Sequence, residues 1–319
     1  MSVKPQASVV TARIIAAVAG TAGSFILFAA YMVIPPAGFL SGLLAPFPAI
    51  YSRFKYGLGT AVIITLGAAT LLAGLFGLQA GVLYLLQSGV IALLMPELLT
   101  RGYQASRTIA WTTAANLTVY ALVAAAFSFI SSQNLHQLAV NEINGSITQA
   151  ISIYEKAGVK GDELALLKQS MTMAANQITK IYPALITILL LTLAGCNLYL
   201  IKRFAVQLGA DLKLGNFNEF RNHDLLVWLL IATGFAQLAG TPIITIPALN
   251  VLVIVAMLYF LQGLAAISAI IARQPFAGVM RVMLYLMLLF QPYLAVVVAA
   301  FGIFDLWGDF RTPRKQENL

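Results

Sequence analysis

The chain has 319 residues, of which 60% are hydrophobic and only 9% charged, and its mean hydropathy is +0.88. A soluble core could not bury that much apolar surface, which excludes an ordinary soluble enzyme or binding domain. The formal charge of +8 sits on basic residues in short connections beside apolar runs, a pattern that sets orientation in a bilayer and is not a nucleic-acid footprint.

Between Ile14 and Ile303 lie eight or nine apolar stretches, each close to the roughly 20 residues a helix needs to cross a bilayer core. They are continuous rather than alternating, so they read as helices and not as barrel strands. The expected fold is all-α: a polytopic transmembrane helical bundle of 8-9 membrane segments, with one short or broken early helix and an external helical hairpin. Three segments are expected, an N-terminal transmembrane bundle (1-130), an extracytoplasmic amphipathic helical loop (131-180), and a C-terminal transmembrane bundle with a short polar tail (181-319).

Lys4 and Arg13 precede a run from Ile14 to Ile34. That run exceeds the roughly 7 to 15 residues of a signal-peptide core, so it is expected to be a retained first span. Ala12, Ala16, Gly20 and Ser24 recur at every fourth position and make one face nearly flat, for packing within the bundle or for docking a separate membrane subunit. Pro35, Pro36, Pro46 and Pro48 then punctuate about a dozen apolar residues ahead of Arg53 and Lys55. Such a short, tilted or re-entrant helix is tolerated at membrane depth only inside protein or along a cavity.

Spans are expected from about Gly57 to Leu78, Gly81 to Leu99 and Thr108 to Ile130, with Arg101 and Arg107 before the last. Basic short loops belong in the cytoplasm, which places Ser131 to Lys180 outside. Within that segment Ile143, Ile147, Ala150, Ile151 and Tyr154 keep helical spacing, Gly158 and Gly161 break it, and Leu164, Leu167, Met171, Ala174 and Ile178 resume it. The pattern predicts a helical hairpin that packs on the bundle, covers an external site or binds a partner.

A span from about Ile181 to Ile201 leads to a basic connection with Lys202, Arg203, Lys213 and Arg221, followed by spans near Leu225 to Leu238, Ile246 to Ile271 and Val279 to Ile303. Nine alternating crossings leave the basic tail, with Arg311, Arg314 and Lys315, on the outside, against the positive-inside rule.

No catalytic constellation is visible, and the expected protein is not an enzyme. His136 and His223 fall in loops assigned to opposite sides, so no metal site is expected, and the lone Cys196 excludes a disulfide framework. No phosphate-cradling glycine loop is present, and no cofactor is expected. Glu97 follows Pro96 and precedes Arg101 by four residues, the spacing of a helical ion pair. It is also the acid most deeply placed in a span, the position of a proton or cation relay. Asp305 and Asp309 flank Trp307 near Arg311, as at an interfacial boundary. Gln87, Asn116, Asn197, Gln237, Asn250, Gln262 and Gln291 lie in spans, where amides join helices or line a pocket. The densest group is C-terminal, and Asn250, Tyr259, Gln262, Tyr285 and Gln291 are the candidate ligand-binding residues.

Asn250, Tyr259-Phe260-Leu261-Gln262-Gly263, Arg281, Tyr285, Gly302-Ile303-Phe304-Asp305-Leu306-Trp307 and Asp309-Phe310-Arg311 together resemble the YybS-like family of bacterial integral membrane proteins, a domain of unknown function. Members of that family look distantly similar to the substrate-binding subunits of energy-coupling-factor transporters and to the rod-shape protein MreD. The resemblance implies a bundle of about six helices with a broken early helix, in the bacterial cytoplasmic (inner) membrane. It also implies a helix-docking face for a partner subunit, carried by Ala12, Ala16 and Gly20. The expected function is small-molecule binding or a transporter-like role; the alternative is a membrane scaffold for envelope assembly or morphogenesis. The expected partners are the lipid bilayer, a membrane subunit and a small-molecule ligand, not nucleic acid.

Overall fold

The computed structural model describes residues 6–34, 38–209, 212, 214–308 and 310–311; Lys4, Pro35, Pro36, Lys213, Asp309, Arg314 and Lys315 lie outside them. Among the described residues there are helices and no strands, and six helices are long and apolar enough to cross a membrane. Three shorter apolar helices accompany them. The chain packs into two units, one of residues 1–130 with 189–215 and one of residues 131–188 with 216–319.

The first unit begins with α1 (Gln6–Val33), the short pair α2 (Phe39–Leu44) and α3 (Phe47–Tyr56), and α4 (Leu58–Phe76). The proline-punctuated stretch is therefore a broken element, as its sequence implies. A single glycine forms each of the next two joints: Gly57, between α3 and α4, and Gly77, after α4, both have φ of 92°, a conformation only glycine adopts freely. After Gly77 the chain runs as α5 (Leu78–Tyr84), a π-helical turn at Leu85–Gly89, and α6 (Val90–Thr100), one continuous span with an inserted residue. α7 (Ala105–Ser131) follows a four-residue connection.

The flat face of α1 is used inside this unit. A side chain on Gly20 would run into Ile64 of α4, one on Gly67 would meet Thr21, and Gly23 faces Pro48 of α3. Ala12 and Ala16 are half-buried on the same row. Phe28 and Tyr84 meet edge to face at 5.2 Å within a core shared by Ala45, Ala68 and Leu72.

In the second unit α8 (Leu135–Lys156) opens on Asn134, whose Oδ1 accepts from the His136 and Gln137 amides. α9 (Gly161–Arg203) pairs with it as the expected hairpin, tied by Lys168 and Glu155 at 2.7 Å and by His136 Nδ1 and the Tyr182 hydroxyl at 3.1 Å. The external loop expected to end at Lys180 and the span expected from about Ile181 are continuous: α9 is one helix of 43 residues that carries Pro183 in its interior and ends in the first unit. After α10 (Ala205–Leu208) the chain returns to the second unit in α11 (Leu226–Ala236), α12 (Pro242–Ile271), α13 (Ala277–Phe290) and α14 (Leu294–Gly308).

The last apolar run is not one crossing. It divides at Gln291, Pro292 and Tyr293 into helices of 14 and 15 residues, each about 21–23 Å long at 1.5 Å per residue. Arg311 Nη1 donates to Asn218 O at 2.9 Å and Arg221 Nη2 donates to Leu306 O at 2.6 Å. The start of the tail therefore lies beside the basic connection, and the alternation of nine crossings that would separate them is corrected.

Candidate functional site

Two sequence motifs of the C-terminal third meet at one point. α12 and α14 cross where Gly263 faces Gly302: a Cβ on Gly263 would overlap Val298 O, and one on Gly302 would overlap Tyr259 O. Backbone contact this close needs glycine on both helices. One position away on α12 is Gln262, and three away on α14 is Asp305; both are buried. Gln262 Oε1 accepts from the Asn222 amide at 2.9 Å, and its Nε2 donates to Asp305 Oδ2 at 3.4 Å. Arg311 closes the cluster through Nε and Nη2 to Asp305 Oδ2, at 3.0 and 2.7 Å. Asn222 Nδ2 is donated to Leu258 O at 2.9 Å.

This cluster ties the 217–222 connection, the middle of α12 and the start of the tail together. Its polar atoms are mostly spent on one another; Asp305 Oδ1 and the Tyr259 hydroxyl are buried without a partner. The reading of Asp305 as an interfacial acid beside Arg311 holds for the ion pair, but the Asp305 side chain is only 1% exposed.

The five candidate ligand residues do not converge. Tyr259 and Gln262 share the crossing, whereas Asn250 lies roughly 13 Å back along α12 from Tyr259 at 1.5 Å per residue. Tyr285 and Gln291 are exposed, as is Tyr293. Asn250 has a different task. Its Oδ1 accepts from the Ala184 amide at 2.9 Å and its Nδ2 donates to Lys180 O at 2.7 Å, the two groups that pair with each other in an unbroken helix. The Asn250 amide thus spans the turn of α9 that Pro183 disturbs, which explains why the helix continues there. Asn250→Leu is expected to leave both backbone groups unmet and to lower stability by about 1–2 kcal/mol, read as thermal unfolding in mild detergent; an unchanged midpoint would remove this role.

In the first unit Glu97 pairs with Arg101 as its spacing predicts, at 3.1 Å, and also with Arg53 of α3 at 2.7 Å, a partner no local pattern announces. Asn197 donates to Leu43 O and Leu193 O at 2.9 and 2.8 Å, holding α9 against α2. Gln237 donates to Thr245 O at 3.2 Å across the turn between α11 and α12. The π-helical turn carries Gln87 and Ser88, both buried. Such turns arise by insertion of one residue and recur at functional positions in helices. On α7, Thr108, Thr112 and Asn116 are fully buried. Their four-residue spacing is legible in the sequence, yet only Asn116 stands out there by residue type. Among the described residues no three His, Cys, Asp or Glu side chains are grouped to hold a metal.

No curated protein matches the chain, and no solved structure does. One family model does match, over residues 22–306, and it takes in both glycine motifs, the Pro183 turn and the α7 row. This polytopic helical chain belongs to the family described as "Predicted membrane protein (DUF2232)".

Proposed function

We propose that the protein is a small-molecule-binding or transporter-like subunit of the bacterial cytoplasmic membrane, without enzymatic activity of its own. The observation that carries this reading is the interrupted span Leu78–Thr100, whose π-helical turn places Gln87 and Ser88 inside the first unit. Irregular, polar backbone at membrane depth is costly, and it recurs where a span lines a binding position. The resemblance to substrate-binding subunits of energy-coupling-factor transporters points the same way. The two histidines are engaged locally, His136 Nδ1 with the Tyr182 hydroxyl and His223 Nδ1 with the Leu225 amide of its own turn at 3.3 Å. Asn250 and Gln262 serve as joints between helices in this reading, and the ligand position moves from the C-terminal third to the first unit.

Native mass spectrometry of the gently extracted full chain tests it, because one spectrum reports bound small molecules and associated subunits. A reproducible small-molecule adduct is the expected result. A stoichiometric protein partner without an adduct would overturn it in favour of a scaffold for envelope assembly. One observation favours that second reading: the α8–α9 hairpin exposes Ile153, Leu166 and Met173, an apolar surface open to a partner. Partner loss in Leu166→Glu would assign it.

A further inference from the structure

The connection between α6 and α7 is closed by its own backbone. Gly102, at φ 83°, donates its amide to Leu99 O at 3.0 Å, and Tyr103 donates its amide to Leu98 O at 3.1 Å. This pair of bonds fixes the last turn of a helix, and it needs the left-handed residue that glycine supplies. α7 starts directly afterwards, with the Thr108 amide donating to Gln104 O at 2.9 Å. Residues 101–104 are therefore held at both ends by backbone hydrogen bonds. Around them Arg101, Gly102, Tyr103, Gln104 and Arg107 line an open cavity of about 360 Å³.

The charge at this cavity is unbalanced. Glu97 serves two cations at once, accepting from Arg53 Nη2 at 2.7 Å and from Arg101 Nε at 3.1 Å. Only Nε of Arg101 faces that carboxylate, and the side chain is 67% exposed, so its terminal nitrogens are left for another acceptor. Arg107 has no ion pair among the described residues. It stands in the first turn of α7, which holds no acid. The unbonded amides at that end of a helix already carry positive partial charge, so a cation there is unfavourable until an anion joins it. Basic residues that only set orientation need no common geometry; these two guanidiniums are gathered on one cavity by a fixed turn.

We infer that the cavity holds the phosphate of an anionic phospholipid from the leaflet it faces. Guanidinium forks match phosphate oxygens, and the Tyr103 hydroxyl and Gln104 carboxamide add neutral donors. The surroundings point to a lipid as the source of that phosphate. Trp111, one turn beyond Arg107, is 60% exposed and Tyr103 41%, and these residue types mark headgroup depth. The spans on either side, Leu78–Thr100 and Ala105–Ser131, offer acyl chains an apolar surface that a free phosphate would not use. Basic pockets at the ends of spans are where anionic headgroups are recognised. Arg101 lies 12 residues past Gly89, the end of the π-helical turn, or about 18 Å along the helix. The lipid position is thus separate from the proposed ligand position and does not depend on it.

The test is native mass spectrometry of the full chain in detergent, titrated with phosphatidylglycerol. Phosphatidylcholine serves as a lipid without net charge, and glycerol 3-phosphate as a soluble headgroup. Phosphatidylglycerol is expected to occupy the protein more fully than phosphatidylcholine, and less so as ionic strength rises. Arg101→Gln combined with Arg107→Gln is expected to lower its apparent affinity by about tenfold. Arg13→Gln, which removes an exposed arginine away from the cavity, is expected to leave it unchanged. Both cavity arginines are exposed, so the double variant is expected to keep the wild-type unfolding midpoint. Gln104→Glu adds a carboxylate at the cavity without removing an arginine, is expected to lose the lipid as well, and decides the matter if the double variant is unstable. Equal occupancy by the two lipids, or an equal loss in Arg13→Gln, would overturn the inference, because the attraction would then belong to the basic surface as a whole. Displacement of the lipid by glycerol 3-phosphate at equal concentration would overturn the lipid and assign the cavity to a soluble phosphate.

Discussion

Gly302→Ala is expected to be among the most damaging single-methyl changes in the second unit, lowering stability by about 3 kcal/mol, the upper end of the range for overpacking. The new Cβ would overlap the Tyr259 carbonyl and crowd the Gly263 amide. Neither obstacle is a side chain that can rotate away, so α14 would have to shift as a whole. Any shift also pulls Asp305 from Gln262, adding a polar loss to the steric one. Gly263→Ala meets Val298 O on the opposite wall and is expected to behave alike, and the double variant to cost less than the sum, because a single displacement relieves both clashes. Gly234→Ala in α11 is the control: no atom lies within 4 Å of its added Cβ. Relieved of glycine's helix penalty, it is expected to gain roughly 0.5–1 kcal/mol. Thermal unfolding in detergent separates the two outcomes. A Gly302→Ala midpoint indistinguishable from that of Gly234→Ala would mean that α12 and α14 do not touch at this point.

That crossing illustrates what the amino-acid order discloses. Tyr259 to Gly263 and Gly302 to Trp307 stand out as motifs, and nothing local says that one is the other's partner. The helices themselves are legible because each depends on a local quantity, the length of an apolar run. The π-helical turn is hidden in such a run because inserting one residue leaves composition unchanged. Asn250 reads as a pocket amide by residue type; its clasp on α9 depends on Pro183, and the two come together only through tertiary packing. Glu97 with Arg101 is readable from a spacing of four, and Arg53 is not, since it arrives on a separate helix. Counting nine crossings conflicts with the positive-inside rule at the tail, because Gln291 and Pro292 look like a kink in a span and act as the end of a helix. For the α7 row a signal was present: Thr108, Thr112 and Asn116 repeat at one face, but threonine is common enough in spans to pass unnoticed.

Arg311→Met is expected to cost about 3–5 kcal/mol, the penalty for stranding one member of a buried ion pair. Asp305 is 1% exposed and Arg311 15%, so the carboxylate left behind cannot turn to water. Its Oδ1 already lacks a partner, and only Gln262 Nε2, at 3.4 Å, would remain on Oδ2. The guanidinium also holds Asn218 O and Gln262 O, so its removal frees the tail from the 217–222 connection as well. Two readouts follow: a lower unfolding midpoint, and proteolysis beyond Gly308 at protease levels that spare the wild type. Adding Asp305→Asn to Arg311→Met removes the stranded charge while keeping the shape, and is expected to recover most of the midpoint. It is not expected to restore protection of the tail, since the bonds from Arg311 to Asn218 stay absent. This split distinguishes charge burial from general disruption of the crossing, which Asp305→Asn could not repair. Equal damage in the single and double variants would show that the Arg311 cluster acts by packing alone.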